Sequence, residues 1–205
     1  MILKVFPLGP FEANCYIIGD EETKKGLIID PSGKPDFILE TIKELGLSID
    51  LIILTHGHGD HFTGAYKVKD ELGIPLYVHK EDVDLVEWET KELIPILKNM
   101  TLVKVDGCIK EGDIINIGNL KLEIIETPGH TMGGVCIKIG NKVFTGDSIF
   151  LRSIGRTDLG RASAELLISS LKEKILTLSE DTILYPGHGP STTVKDEKEL
   201  NPFLK

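Results

Sequence analysis

Cysteine is scarce in this chain: there are three, Cys15, Cys108 and Cys136, far apart and with no Cys-x-x-Cys pair among them. An odd, scattered set supports neither a disulfide framework nor a thiolate metal site, so buried structural thiols are expected. Long apolar runs are missing as well. Nothing approaches the roughly 18 residues of a bilayer span, and Pro7, Pro10 and Glu12 interrupt the amino terminus before a signal-peptide core could form. A cytoplasmic protein with no membrane partner is expected. Cations are in deficit too, 23 Lys and Arg against 32 Asp and Glu for a net charge of −9, so the average surface repels nucleic acid. Low-complexity linkers and charge blocks are also lacking, and 205 residues with 41% hydrophobic content fit one domain spanning 1–205.

What is present is a succession of short apolar, β-branched runs punctuated by Gly and Pro. Strands are predicted at 2–6, 15–18 and 27–29. A helix follows, with Ile38, Ile42 and Leu45 on one face, Pro35 near its first turn and Gly46 at its stop. Leu51 to Leu54 reads as a strand covered on both faces. A second helix on Ala65, Val68 and Leu72 leads into a strand at 76–79. Residues 81–89 read as a third helix, and an irregular stretch follows to Met100. Gly118-Asn119 and Gly140-Asn141 are hairpin turns joining strands at 114–117 and 120–125, and at 135–139 and 142–145. A last helix, with Ser163 as N-cap and Ile168, Leu171, Ile175 and Leu178 on one face, precedes a strand at 182–185. The order of strands, helix, strand occurs twice, and 53–59 echoes 183–189. Two sheets packed face to face with helices outside would bury such strands on both sides.

Five of the six histidines lie in Gly-rich segments directly after apolar strands. The densest is Thr55-His56-Gly57-His58-Gly59-Asp60-His61. Imidazole nitrogen and carboxylate oxygen are the donors that zinc and iron take. In an extended segment, alternate side chains point the same way, so His56 and His58 can reach one ion. Asp60 and His61 turn towards the next helix and can face a second. His130 after Pro128-Gly129, Asp147 after Gly146 and His188 after Gly187 would each be an ordinary loop residue alone. Together they occupy strand ends on a chain that already carries a metal motif. His79 lies outside such a setting and is expected to be a surface or capping residue.

The set His56-Gly57-His58-Gly59-Asp60-His61, Pro128-Gly129-His130-Thr131, Gly146-Asp147-Ser148 and Pro186-Gly187-His188-Gly189 resembles the metallo-β-lactamase superfamily, and within it the short bacterial glyoxalase II-like (hydroxyacylglutathione hydrolase-like) hydrolases. The resemblance implies an α/β fold: a four-layer αββα sandwich of two mixed sheets, with helices on both outer faces and two pseudo-symmetric halves. It implies two divalent metal ions, with zinc expected and iron or manganese also accepted by these donors. His56, His58 and His130 would hold one ion, Asp60, His61 and His188 the other, and Asp147 would bridge them. Asp60 and Asp147 would then serve catalysis by holding a metal-bound hydroxide, because two divalent ions against two carboxylates leave a charge of about +2 that lowers the pKa of bound water.

No spare Glu or His in these motifs reads as a strong general acid. A thiolate leaves with little help, since a free thiol has a pKa near about 8.5, so a small acyl substrate, above all a thioester, is expected. Arg156 is read either as a guide for an anionic substrate or as an internally paired surface residue. Arg152 and Arg161 are read as solvated or paired. Trp88 and the segment around Pro95 and Met100 either wall the pocket or pack on the core, the second being the simpler reading. Full-length glyoxalase II enzymes carry a helical carboxy-terminal region that helps bind glutathione. Only 17 residues follow His188, so that region is not expected here. Two other readings stand beside the hydrolase. One is a mononuclear iron persulfide dioxygenase using His56, His130 and Asp147. The other is a non-catalytic module of the same fold, which would be expected to have lost ligands. Oligomeric state is not fixed by the sequence.

Overall fold

The structure is a computed structural model that describes residues 1–97 and 100–205. The first sheet contains, in spatial order, β1 (Ile2–Leu8), β2 (Ala13–Gly19), β3 (Lys25–Ile29), β4 (Ser48–Ile53), β5 (Leu76–His79) and β6 (Gly107–Ile109). Its first three strands pair antiparallel and its last three join in parallel. Parallel neighbours need a crossover, and α1 (Pro35–Leu45) and α2 (Ala65–Leu72) supply two of them. α3 (Val83–Leu93) follows β5.

The second sheet is built from β7 (Ile114–Ile117), β8 (Leu120–Glu126), β9 (Val135–Ile139) and β10 (Lys142–Gly146). After a small hairpin of β11 (Ile149–Phe150) and β12 (Ser153–Ile154), the helix α4 (Ala164–Ser170) crosses to β13 (Ile183–Pro186), which lies parallel to β10. β14 (Thr192–Thr193) closes that edge, and α5 (Val194–Leu200) follows. Both sheets are therefore mixed, and they come from successive halves of the chain.

Period-two alternation decides how the layers stack. On β2, Cys15 and Ile17 join Ile28, Ile52 and Leu54 in an apolar layer against α1 and α2, where they meet Ile38, Ile42 and Val68. Tyr16 and Ile18 point the other way, joining Leu27, Ile29 and Ile53 against Leu122, Ile124, Ile137 and Phe144 of the second sheet. Cys136, Val143 and Leu184 pack outward on Leu167, Leu171 and Ile175. Three apolar layers between four layers of secondary structure make the expected αββα sandwich. Each fully buried Leu or Ile contributes on the order of 1.5–3 kcal/mol, and strands buried on both faces supply such residues at every position.

Several local expectations change. The third helix is preceded by a tight turn at Lys80–Asp82 and runs on to Leu93, because Pro95 obstructs only the turn beyond. Lys98 and Asn99, in the irregular stretch expected there, lie outside the described residues. The last helix relaxes into wider turns over Leu171–Ile175. Cys15 and Cys136 are buried, whereas Cys108 is exposed, since it lies on the short edge strand β6, with its neighbour Ile109 on the buried side. His79 does cap, accepting a hydrogen bond from the Glu81 N–H at 3.3 Å. It is buried, not superficial, with Nε2 2.8 Å from Glu126 Oε1. No helix among the described residues is long and apolar enough to cross a membrane.

Candidate metal centre

The carboxyl ends of β4, β8, β10 and β13 reach the same edge of the sandwich, and the loops leaving them carry His56–His61, His130, Asp147 and His188. All seven side chains meet there. His56, His58 and His130 each offer a donor within 4.8 Å of the others, as do Asp60, His61 and His188, and so do His56, His61 and Asp147. Asp147 stands between the first two sets. Its Oδ1 is 3.4 Å from His61 Nε2, and its Oδ2 is 3.6 Å from His130 Nε2 and 3.7 Å from His188 Nε2. Asp60 Oδ2 lies 3.3 Å from His188 Nε2.

The glycines of the motif act through space. Neither Gly57 nor Gly59 has a positive φ. A Cβ on Gly57 would lie 3.0 Å from the Asp82 carbonyl oxygen, and one on Gly59 would lie 2.5 Å from Leu93 Cδ1. Their smallness lets α3 close on the histidine loop. Gly187 has the same function at the centre itself, where a Cβ would stand 2.1 Å from Asp147 Oδ1 and 2.7 Å from His61 Cε1.

Oxygen acceptors outside the cluster set the direction of the rings. His61 Nδ1 donates to Asp30 Oδ2 at 2.9 Å, His130 Nδ1 to the Arg156 carbonyl at 2.8 Å, and His188 Nδ1 to the Phe11 carbonyl at 3.0 Å. His56 Nδ1 lies 3.1 Å from Thr55 Oγ1, which itself donates to Asp30 Oδ2 at 2.6 Å. A ring whose Nδ1 carries the proton presents a bare Nε2 lone pair, the form a metal takes. His58 is turned the other way, its Nδ1 2.9 Å from His130 Nε2. Asp82 ties two loops together, accepting from Gly57 N–H at 2.9 Å and from Gly133 N–H at 2.8 Å.

Asp30 and Asp82 escape a reading of the sequence, as does Asn14, whose Nδ2 donates to the Pro186 and Gly189 carbonyls at 2.9 Å each. Asp30 directly follows β3, the same strand-end position that singles out His130 and Asp147. That signal could have found it.

The electrostatics favour a cation. Burial, reinforced by the neighbouring histidines, keeps His56 well below its ordinary pKa, and burial together with His130 brings His58 down to about 4. Burial opposes charge on His61 too, but the carboxylates of Asp147 and Asp30 outweigh it and raise its pKa well above the usual value. Burial would raise Asp60, yet the hydrogen bond with His188 and nearby imidazoles hold it at about 2. Asp147 is likewise lowered against its burial, chiefly by His61. Among the described residues four buried side-chain polar atoms have no hydrogen-bond partner, Thr131 Oγ1 and, within the cluster, His56 Nε2, His61 Nε2 and Asp147 Oδ1. Buried polar atoms without partners are rare and costly, and divalent cations at the two donor sets would satisfy the three in the cluster, so the residues present fit such ions.

Other sequence candidates fall around this rim. The exposed Arg156 guanidinium is bonded to both oxygens of Asp158, at 2.8 and 3.0 Å, and it is the residue's carbonyl that touches the cluster. Trp88 does not pack in the core as expected. It is 57% exposed and walls a cavity of about 500 Å³ that opens onto His58 and His130. Met100 is buried with the first sheet's core.

Residues 8–188 match the metallo-beta-lactamase superfamily. Hydroxyacylglutathione hydrolase GloC of Haemophilus influenzae is 38% identical to the chain, over 100% of this chain and 98% of that protein. The human mitochondrial persulfide dioxygenase ETHE1 is 32% identical over 92% of this chain and 70% of its own length. Among solved structures, TTHA1623, crystallised in a di-iron-bound form, superposes with a TM-score of 0.87 at 33% identity, covering 98% of this chain and all of that one. With its matched segment, its sandwich and its clustered His and Asp side chains, the chain belongs to the metallo-beta-lactamase superfamily.

Proposed function

We propose that this chain is a dinuclear metal-dependent hydrolase that cleaves small acyl compounds, above all thioesters. The observation carrying the proposal is the convergence of two complete donor sets, His56/His58/His130 and Asp60/His61/His188, on either side of Asp147. Zinc is the cation proposed, and Asp60 and Asp147 are the carboxylates proposed to serve catalysis. Bound there, divalent cations would supply a Lewis acid for the substrate carbonyl and water of lowered pKa.

The chain's own residues do the positioning. Asp30, Thr55 and the carbonyls of Arg156 and Phe11 hold protons on the outward ring nitrogens. That aims the Nε2 atoms of His56, His61, His130 and His188 inward, where a binding cation would displace any proton they carry. Asp60, kept ionised, remains an acceptor at neutral pH. Asp82 fixes the distance between the histidine loop and the loop after His130. A thiolate leaving group needs little protonation, which suits a centre crowded with acceptors. The name of GloC, a hydroxyacylglutathione hydrolase, supports the same class.

The test is thiol release from S-acetyl-N-acetylcysteamine by the zinc-loaded chain, followed with an aromatic disulfide reagent. Hydrolysis is expected, with at least a hundredfold loss in Asp60→Ala. The likeness to ETHE1 supplies a second reading, a persulfide dioxygenase on His56, His130 and Asp147. Oxygen uptake on a persulfide by the iron-loaded chain, unaffected by Asp60→Ala and with no thioester cleaved, would replace the first reading with the second.

A further inference from the structure

The cavity beside the cluster has a composition that selects among substrates. Its volume, about 500 Å³, lies in the range of small-molecule sites, and His58 and His130 form its inner end, so whatever fills it lies against the metal centre. One wall is α3, contributing Leu85 and the indole of Trp88. The opposite wall is Met132, together with Leu159. Three of these four are aliphatic or thioether chains and the fourth is an aromatic ring, surfaces that gain by covering apolar groups.

The charges around that apolar interior are mostly negative. Glu81 and Asp84 stand exposed at the rim and Glu89 is partly buried beside them. Asp82 also lines the cavity, but both its oxygens are engaged by the Gly57 and Gly133 N–H groups. The one guanidinium present, Arg161, is 3.4 Å from Glu81 and is therefore offset. Arg156, the other cation near the centre, is bonded to Asp158 and does not line the cavity. Away from the metal end, an anionic arm would meet three unpaired or partly paired carboxylates against one guanidinium among the described lining residues, and like charges brought together at close range are unfavourable.

We infer that this cavity is the chain's specificity subsite, that it takes an uncharged apolar arm of the substrate, an aryl or branched alkyl group, and that it turns away arms carrying carboxylates. This rests on the hydrolase reading above for the chemistry but not for the binding. It also separates the chain's preference from a glutathione thioester, whose thiol arm carries two carboxylates and one ammonium, a net negative charge.

Trp88 is the chain's only tryptophan, so its fluorescence reports the cavity directly. The metal-loaded chain is titrated with N-benzylacetamide, with its 4-carboxy counterpart and with its 4-aminomethyl counterpart. The neutral ligand is expected to bind at least tenfold more tightly than the carboxylate, with the cationic one no weaker than the neutral one. In the double variant Glu81→Gln, Asp84→Asn, the gap between neutral and carboxylate should close to within threefold. Equal affinities, a carboxylate that binds best, or no change in Trp88 emission at saturation would each overturn the inference.

A kinetic arm compares phenylacetyl with acetyl thioesters of N-acetylcysteamine. Leu85→Ala, and separately Met132→Ala on the facing wall, should lower the phenylacetyl-to-acetyl ratio of kcat/KM at least fivefold. An unchanged ratio in both variants counts against the subsite. If no thioester is cleaved at all, the hydrolase reading fails, and the fluorescence titration still decides the cavity.

Discussion

Replacing Asp30 by Asn exchanges one carboxylate oxygen of a fully buried side chain for an amide nitrogen, and should disable the centre without unfolding the protein. The carboxylate accepts three hydrogen bonds, from Thr55 N–H at 2.8 Å on Oδ1 and from Thr55 Oγ1 at 2.6 Å and His61 Nδ1 at 2.9 Å on Oδ2. In the Asp30→Asn variant the amide oxygen must stay opposite the Thr55 N–H, which has no other way to be satisfied. The NH2 group then faces two donors. To avoid donor against donor, Thr55 Oγ1 must turn and His61 must give up its Nδ1 proton. The His61 proton moves to Nε2, the atom aimed at Asp147, and His56 loses the fixed hydroxyl that held its own Nδ1. Loss of an outer hydrogen-bond partner of this kind typically costs about tenfold to a hundredfold in metal affinity, or about 1.4 to 2.8 kcal/mol. Stability without metal should fall by about 1.5 to 3 kcal/mol for the lost charge-assisted bonds. Competition against a chelator of known affinity measures the first quantity, and denaturant unfolding of the metal-free protein the second. A variant that holds metal as tightly as the parent would refute the ring-orientation argument.

Other outcomes follow from single contacts. Gly187→Ala puts a methyl group 2.1 Å from Asp147 Oδ1, so metal content measured on the purified variant should fall while its circular dichroism stays that of the parent. Leu167→Ala empties a fully buried position between α4 and the second sheet and should cost about 2–5 kcal/mol in denaturant unfolding. Asp20 joins two hairpin turns, accepting from Thr23 Oγ1 at 2.6 Å and Asn119 N–H at 2.9 Å. These bonds hold its pKa at about 2, against an ordinary 3.8. A lowered carboxyl pKa stabilises the fold above the ordinary value, and the effect is lost as pH falls through the folded one. The stability difference between the parent and Asp20→Asn should therefore be constant from about pH 7 to about 5 and shrink between about 4 and 2.

The architecture and the seven converging side chains are legible because each rests on a strong local rule. Strands buried on both faces read as unbroken β-branched runs, and Gly118 and Gly140 adopt the positive φ that their hairpins require. Four potential ligands in six residues is a pattern few loops share. What escapes is held by distant partners or by weak patterns. β6, Gly107–Ile109, is a three-residue edge strand fixed by pairing with β5. α5 is composed mostly of charged residues, with Val194 and Glu197 buried. Its start is nevertheless readable, since Thr193 accepts from the Asp196 N–H at 3.1 Å, a Thr-x-x-Asp arrangement close to a capping box. Trp88 reads as core on residue type alone. Its side of α3 is instead the wall of a cavity, a feature that depends on Met132 and Leu159 arriving from the other half of the chain.

Metal content of the chain purified without added ions, read by elemental analysis alongside the same measurement on Asp60→Ala, tests the two-ion centre most directly. The account predicts close to two divalent ions per chain, falling to about one in the variant. A single iron per chain, retained in full after Asp60→Ala, would contradict it.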